Sequence, residues 1–327
     1  MRLPAAREEF KVCRTLVLHA DDFGLNGAIT AGILRGFEHG LLTSTALLAN
    51  APNAAAAIDA WKQLESRHAT CGLASSPRRK ALHDAGSPFD LGVHLNLTQG
   101  RPLTGKNYPG ELLDQEGRFP GIFRLFWRLQ RRGSNYDSAI RAELSEQIAY
   151  LVDRGWRPTH LNGHQYVELI PQVARVIPDL LAKFNIPAVR VAVEPGLHAT
   201  ILRYDGRLPA WLLAIVKRHF AGQFLRRISR GFALYPPTYF GTAHAGRIDA
   251  RLVELFLRHA PGDGMIEIAF HPAVRGDHRA ADNRDGWLDP LASRRVDELK
   301  FLESDALASL IKARDSRLGR LSGLTAA

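Results

Sequence analysis

Seven short apolar runs alternate along this chain with segments of helical periodicity, and that alternation limits its folds more than any other feature. Thr15-Leu-Val-Leu-His-Ala20, Ser44-Thr-Ala-Leu-Leu-Ala49, Leu91-Gly-Val-His-Leu-Asn-Leu97, residues 158–161, Ala188-Val-Arg-Val-Ala-Val193, residues 231–234 and Met265-Ile-Glu-Ile-Ala-Phe270 read as buried strands. Between the first two, Ile29, Ile33, Leu34 and Phe37 recur at helical spacing before Gly40. Further helices are expected at 53–64, at 140–152 (Ile140, Leu144, Ile148, Leu151, Val152, then Gly155), and at 171–184, 209–220 and 248–259. A last one, over 294–321, is expected to pack on the sheet. Residues 75–87 and the Gly- and Pro-rich stretch 98–121 read as loops. Strand–helix alternation calls for a parallel sheet. With no repeat and no Gly/Ser linker, residues 12–327 are expected to form one α/β domain with a barrel-like sheet of about seven parallel strands, preceded by an extension at 1–11.

Composition narrows the partners. The only cysteines, Cys13 and Cys71, form no CxxC pair or disulfide framework, so free thiols in a reducing compartment are expected. The N-terminus lacks the apolar core of a signal peptide, and no window reaches the apolar length of a membrane span. A cytoplasmic protein follows as the expectation. The formal charge of +10 invites a nucleic-acid reading, but the arginines are dispersed and no RNP-type motif accompanies them. Their densest cluster, Lys217, Arg218, Arg226, Arg227 and Arg230, is interleaved with Phe220, Phe224, Leu225 and Ile228. Such a segment can lie on an anionic membrane at the inner face, or form a solvated helix packed on the core by its apolar stripe. Oligomeric state is not specified, and a homodimer stays open.

Ligand-type side chains collect where predicted strands end. Asp21 and Asp22 follow the first, His94 sits late in the third, His160 and His164 flank the end of the fourth, and His271 follows the last. In barrels of parallel strands, catalytic groups gather at that face. Two imidazoles and one carboxylate leave coordination positions open for water and substrate, as a hydrolytic metal site needs. Asp22, His94 and His164 are the ligands expected, with Asp21 as a general base. The competing readings are an N-cap role for the aspartate doublet and rim or core roles for His94 and His271. A buried ion pair is the competing reading for Arg190.

Ala20-Asp-Asp-Phe-Gly24, Thr43-Ser-Thr45, Gly92-Val-His-Leu-Asn-Leu97 with Gly100-Arg-Pro-Leu103, Pro158-Thr-His-Leu-Asn-Gly-His-Gln165 and Phe270-His-Pro272 together resemble the YdjC-like carbohydrate deacetylases. That group includes deacetylases of chito-oligosaccharides and of hopanoid-linked sugars. The resemblance runs in order from about Leu16 to Pro272 and implies a distorted (β/α) barrel that removes N-acetyl groups from amino sugars. It also implies one divalent metal, zinc or magnesium, on Asp22, His94 and His164, with Asp21 as base. His164 is favoured over His160, which becomes a supporting or substrate-contacting group, as do Arg190, Asn96 and Tyr166. His271, protonated, is our hypothesis for the acid that serves the leaving amine. Two departures alter the rim: relatives often continue as His-x-His where this chain has Tyr166-Val167-Glu168, and many carry Asp at Asn162. An oligosaccharide and a lipid-linked sugar are both open as substrates. Alternatives are another amidohydrolase or esterase on the same scaffold, or a non-catalytic binder of sugar or nucleic acid.

Overall fold

A computed structural model describes residues 14–71, 89–132, 136–196, 204, 208–230, 233–276 and 286–324. Its strands are β1 (Arg14–Phe23), β2 (Ser44–Leu47), β3 (Asp90–Leu95), β4 (His160–Gly163), β5 (Ala188–Val189), β6 (Thr238–Phe240), β7 (Met265–Phe270) and β8 (Ser316–Leu318). The first seven form one parallel sheet in the order β5-β4-β3-β2-β1-β7-β6, while β8 pairs with the start of β1. The sheet curls into a half-barrel. Backbone hydrogen bonds link its two edges: Leu234 N donates to Pro187 O at 2.9 Å and Tyr239 N to Val193 O at 3.3 Å. The expected single-domain, distorted α/β barrel is the fold observed.

Helices α1 (Gly27–Glu38), α2 (Ala54–Cys71), α3 (Ile122–Arg132), α4 (Asp137–Val152), α5 (Pro171–Phe184), α6 (Leu208–Ile228), α7 (Ala250–His259), α8 (Arg295–Leu302) and α9 (Asp305–Ala313) supply the crossovers and the outer layer. Side chains alternate along each strand, so one set faces the helices and the other the barrel interior. On β1, Leu16, Leu18 and Ala20 join the large apolar core, whereas His19 and Asp21 turn inward to polar partners. On β7, Ile266, Ile268 and Phe270 face the helices, and Glu267 meets an arginine inside. The outer layer is apolar and tight: the Phe37 ring lies 5.1 Å from Trp61 and 4.6 Å from Phe89.

Several boundaries differ from the sequence reading. The fifth strand is cut to two residues, because Arg190 onward bends into the barrel mouth. Of the expected sixth run, residues 231–232 lie outside the described set and Leu234 makes only an isolated bridge to Ala188; the sixth strand is β6. The tail is not one helix: Glu303 and Ser304 break it, and Ser304 caps α9 by accepting from Leu307 N. Its end becomes β8, which covers the start of β1. The unanticipated α3 buries Leu125 and Leu129 at helical spacing. The 75–87 loop, the 1–11 extension and Cys13 lie outside the described residues.

Close backbone approach at α1 gives a test. A Cβ on Gly32 would lie 2.3 Å from Ala273 Cα and 2.8 Å from Val274 N, both backbone atoms after β7. By contrast, a Cβ on Gly27, in the same helix, meets nothing within 4 Å. Gly32→Ala is expected to cost about 1–3 kcal/mol by overpacking, whereas Gly27→Ala should be neutral or mildly stabilising. Urea unfolding of the two variants, followed by circular dichroism, compares them.

Candidate active site

The site begins with an irregularity in β1. Ala20 pairs with Thr45 but Phe23 with Leu47, so β1 fits one extra residue into the stretch that holds both aspartates. Asp22 takes φ +69°, a left-handed conformation that a non-glycine residue adopts at a cost of about 1–2 kcal/mol. On a regular strand the two carboxylates would point to opposite faces. Here both enter the barrel mouth, and Gly24, at φ +89°, turns the chain towards α1. Asn26, not the doublet, caps that helix by accepting from Ile29 N at 2.9 Å, so the N-cap reading of Asp21 and Asp22 is set aside.

Each carboxylate has its own buried cation. Asp21 Oδ2 accepts from Arg190 Nη1 at 2.8 Å, and its Oδ1 accepts from Asn162 Nδ2 at 2.9 Å. Asp22 Oδ2 accepts from Arg295 Nη2 at 2.6 Å, leaving Oδ1 to face His164 Nδ1 at 3.0 Å and His94 Nε2 at 3.5 Å. Burial alone would raise both acids. The guanidiniums overcome it, helped by the neighbouring imidazoles, and hold both carboxyls well below the usual carboxylate range. Arg190 also binds Glu267 and Arg295 also binds Asp289, so neither positive charge is left uncompensated.

Asp22, His94 and His164 each bring one ligand atom to within 4.8 Å of the others, and all three residues are buried. The donor chemistry fits a divalent cation. Asn162 Oδ1 accepts from His94 Nδ1 at 2.8 Å, which places the proton there and leaves Nε2 unprotonated on the side facing Asp22. Nε2 of His164 is buried with no hydrogen-bond partner among the described residues. The aspartates raise the His94 pKa against the effect of its burial, so this pocket attracts positive charge. Two imidazoles and a carboxylate suit zinc and similar transition ions better than magnesium.

The remaining expected residues divide. His271 Nε2 is 3.7 Å from Asp21 Oδ2, so it belongs to the site. Burial pushes its imidazole down to about 4. Arg190 is the Asp21 and Glu267 partner, buried to 1% exposure. His160 is fully buried beneath the site with its ring 5.0 Å from His19, so the two imidazoles of the central motif separate. Asn96 staples the loop after β3, its Oδ1 accepting from the backbone N of Thr98 and Gln99. Tyr166 lines the cleft, its hydroxyl 2.9 Å from that of Tyr239. Glu168, one of the departures, is buried under Gly163, and burial pushes its carboxyl up to about 7.

Arg295, Asp289 and Glu267 were missed. An arginine in a tail helix reads as a solvated charge, and a lone Glu in an apolar strand carries no partner in its own sequence. The strand alternation of β7 is the signal that places Glu267 inside. The cleft itself encloses about 530 Å³ and is walled by Phe123, Phe126, Trp127, Val216, Phe220 and Leu288. Lys217, the first of the basic cluster, lines this cleft, its ammonium 4.1 Å over the Tyr166 ring and donating to Thr242 O. Burial lowers its pKa to about 8.

Known proteins resemble this chain over most of its length. A carbohydrate deacetylase of Vibrio cholerae serotype O1 is 30% identical over 319 residues, covering 95% of this chain and 97% of its own. A chitooligosaccharide deacetylase of Escherichia fergusonii is 28% identical, covering 94% and 97%. Among solved structures, a protein of Enterococcus faecalis named for cellobiose-phosphate cleavage superposes with a TM-score of 0.66 over 96% of this chain and all of its own. At 19% identity that likeness speaks for the fold alone. The sequence model for YdjC-like protein matches residues 15–313, and the chain belongs to that family.

Proposed function

We propose that this protein is a metal-dependent hydrolase that removes an N-acetyl group from an amino sugar. The observation that carries the reading is the convergence of Asp22, His94 and His164 beside a second, separately paired carboxylate, Asp21. One group can hold a cation while the other stays free to move a proton. A cation on the three ligands supplies Lewis-acid polarisation of an amide carbonyl and a lowered pKa for water. Asp21, kept ionised by Arg190, accepts the proton of the attacking water. The neutral His271 ring, 3.7 Å from Asp21 Oδ2, then relays a proton to the leaving amine. The apolar cleft walls favour an acetylated sugar joined to a lipid over a free oligosaccharide.

Acetate release from N-acetylglucosamine oligomers and N-acetylglucosaminyl lipids, with and without a chelator, tests the whole reading. Turnover should require metal and be fastest on the glycolipids; chelator-resistant release, or none from any substrate, would sink it. Asp21→Asn should retain bound zinc yet lose about 10²–10⁴-fold in kcat, whereas His164→Ala should lose zinc in a metal-content assay. The acid side of the pH profile supplies another test. Asp21 works only as a carboxylate, and Arg190 keeps its pKa low. Replacing the cation and its other partner together, Arg190→Gln with Glu267→Gln, leaves burial to raise that pKa, so kcat/KM should fall away at a higher pH than in the parent.

A further inference from the structure

Among the described residues, nine large hydrophobic side chains are exposed; five of them line the cleft, and two more, Leu212 and Ile215, stand on the same helix as Leu213 and Val216. Phe123 and Trp127 stand on α3 at 69% and 62% exposure; Leu212, Leu213, Ile215 and Val216 stand on α6; Leu288 faces them at 62%. The two helices meet at Phe126 and Phe220, whose rings lie 5.6 Å apart. Neither helix contains an aspartate or glutamate. Arg124, Arg131, Arg218, Arg226, Arg227 and Arg230 are exposed on or next to them, without a carboxylate partner among the described residues. Along α6 the outward stripe changes from apolar at Leu212 and Ile215 to basic at Arg226 and Arg230. Arg226, Arg227 and Arg230, with Gln223, also line a shallow groove.

We propose that this face docks on an anionic lipid bilayer, with the Trp127 and Leu213 edge inserted at the headgroup level and the arginines on the lipid phosphates. Clustered exposed apolar groups mark an interaction surface. Aromatic side chains flanked by arginine, with no acid on either helix, match the interfacial region of a charged membrane rather than a protein of mixed charge. No described helix is long and apolar enough to cross a membrane, so the contact is peripheral. Docking would set the cleft mouth against the lipid surface. The inference does not depend on the deacetylase reading, because vesicle binding is measured without substrate.

Flotation of the full-length protein with phosphatidylcholine vesicles, with or without phosphatidylglycerol, tests it. Binding should require the anionic lipid and weaken in high salt. Arg226→Glu with Arg227→Glu should weaken partitioning by at least about tenfold, and Phe123→Ser with Trp127→Ser should abolish it, with circular dichroism and Tm reporting on the fold. Quenching of tryptophan fluorescence by brominated lipid, present in the parent and lost in Trp127→Phe, places that ring in the bilayer without a destabilising change. Failure to float, binding unaffected by these substitutions, or a dimer by light scattering that forms through Trp127 in place of lipid binding overturns the proposal.

Discussion

Two carboxylates on adjacent residues, both buried, repel each other and are costly to remove from water. The architecture of this site is an answer to that cost. Asp21 and Asp22 are paired with different arginines, one at the end of β5 and one in α8, so neither competes for the other's cation. Each arginine is neutralised in turn by a further buried acid, Glu267 or Asp289. Removing one member of such a chain strands an uncompensated charge, at a cost of several kcal/mol. The arrangement also gives the two acids different surroundings. Arg295 occupies only one oxygen of Asp22 and leaves the other beside the imidazoles, while Arg190 and Asn162 engage both oxygens of Asp21.

Asn162 joins the two halves. Its carbonyl oxygen fixes the protonated nitrogen of His94, and its amide donates to Asp21. An aspartate there could accept from the imidazole but would need a proton of its own to donate to the second carboxylate. This chain therefore links His94 and Asp21 through a neutral bridge.

Strand identity and the convergence of Asp22, His94 and His164 were legible because both rest on local signals: short apolar runs, and polar residues placed where those runs stop. β1, β3 and β7 have enough period to be read directly, and Asp22, His94 and His164 all lie at their ends or at that of β4. The failures have physical causes. α3 is short and full of arginine, so its apolar stripe of Ile122, Leu125, Phe126 and Leu129 is diluted in composition. β5 and β6 keep only two and three residues of ladder, so flanking loops mask them. Arg295 and Glu267 could not be assigned at all, since an ion pair across such sequence separations is a property of the folded barrel.

The Arg295 clamp has a consequence for how the protein acquires its function. By the time residue 271 has been synthesised, the chain contains every metal-ligand candidate, together with Asp21 and His271. It does not yet contain the guanidinium that seats Asp22, nor β8, which closes over the foot of β1. A nascent barrel on the ribosome thus carries its aspartate doublet with only half of its countercharge. The countercharge of Asp22 is completed only when α8, one of the last two helices, has been made.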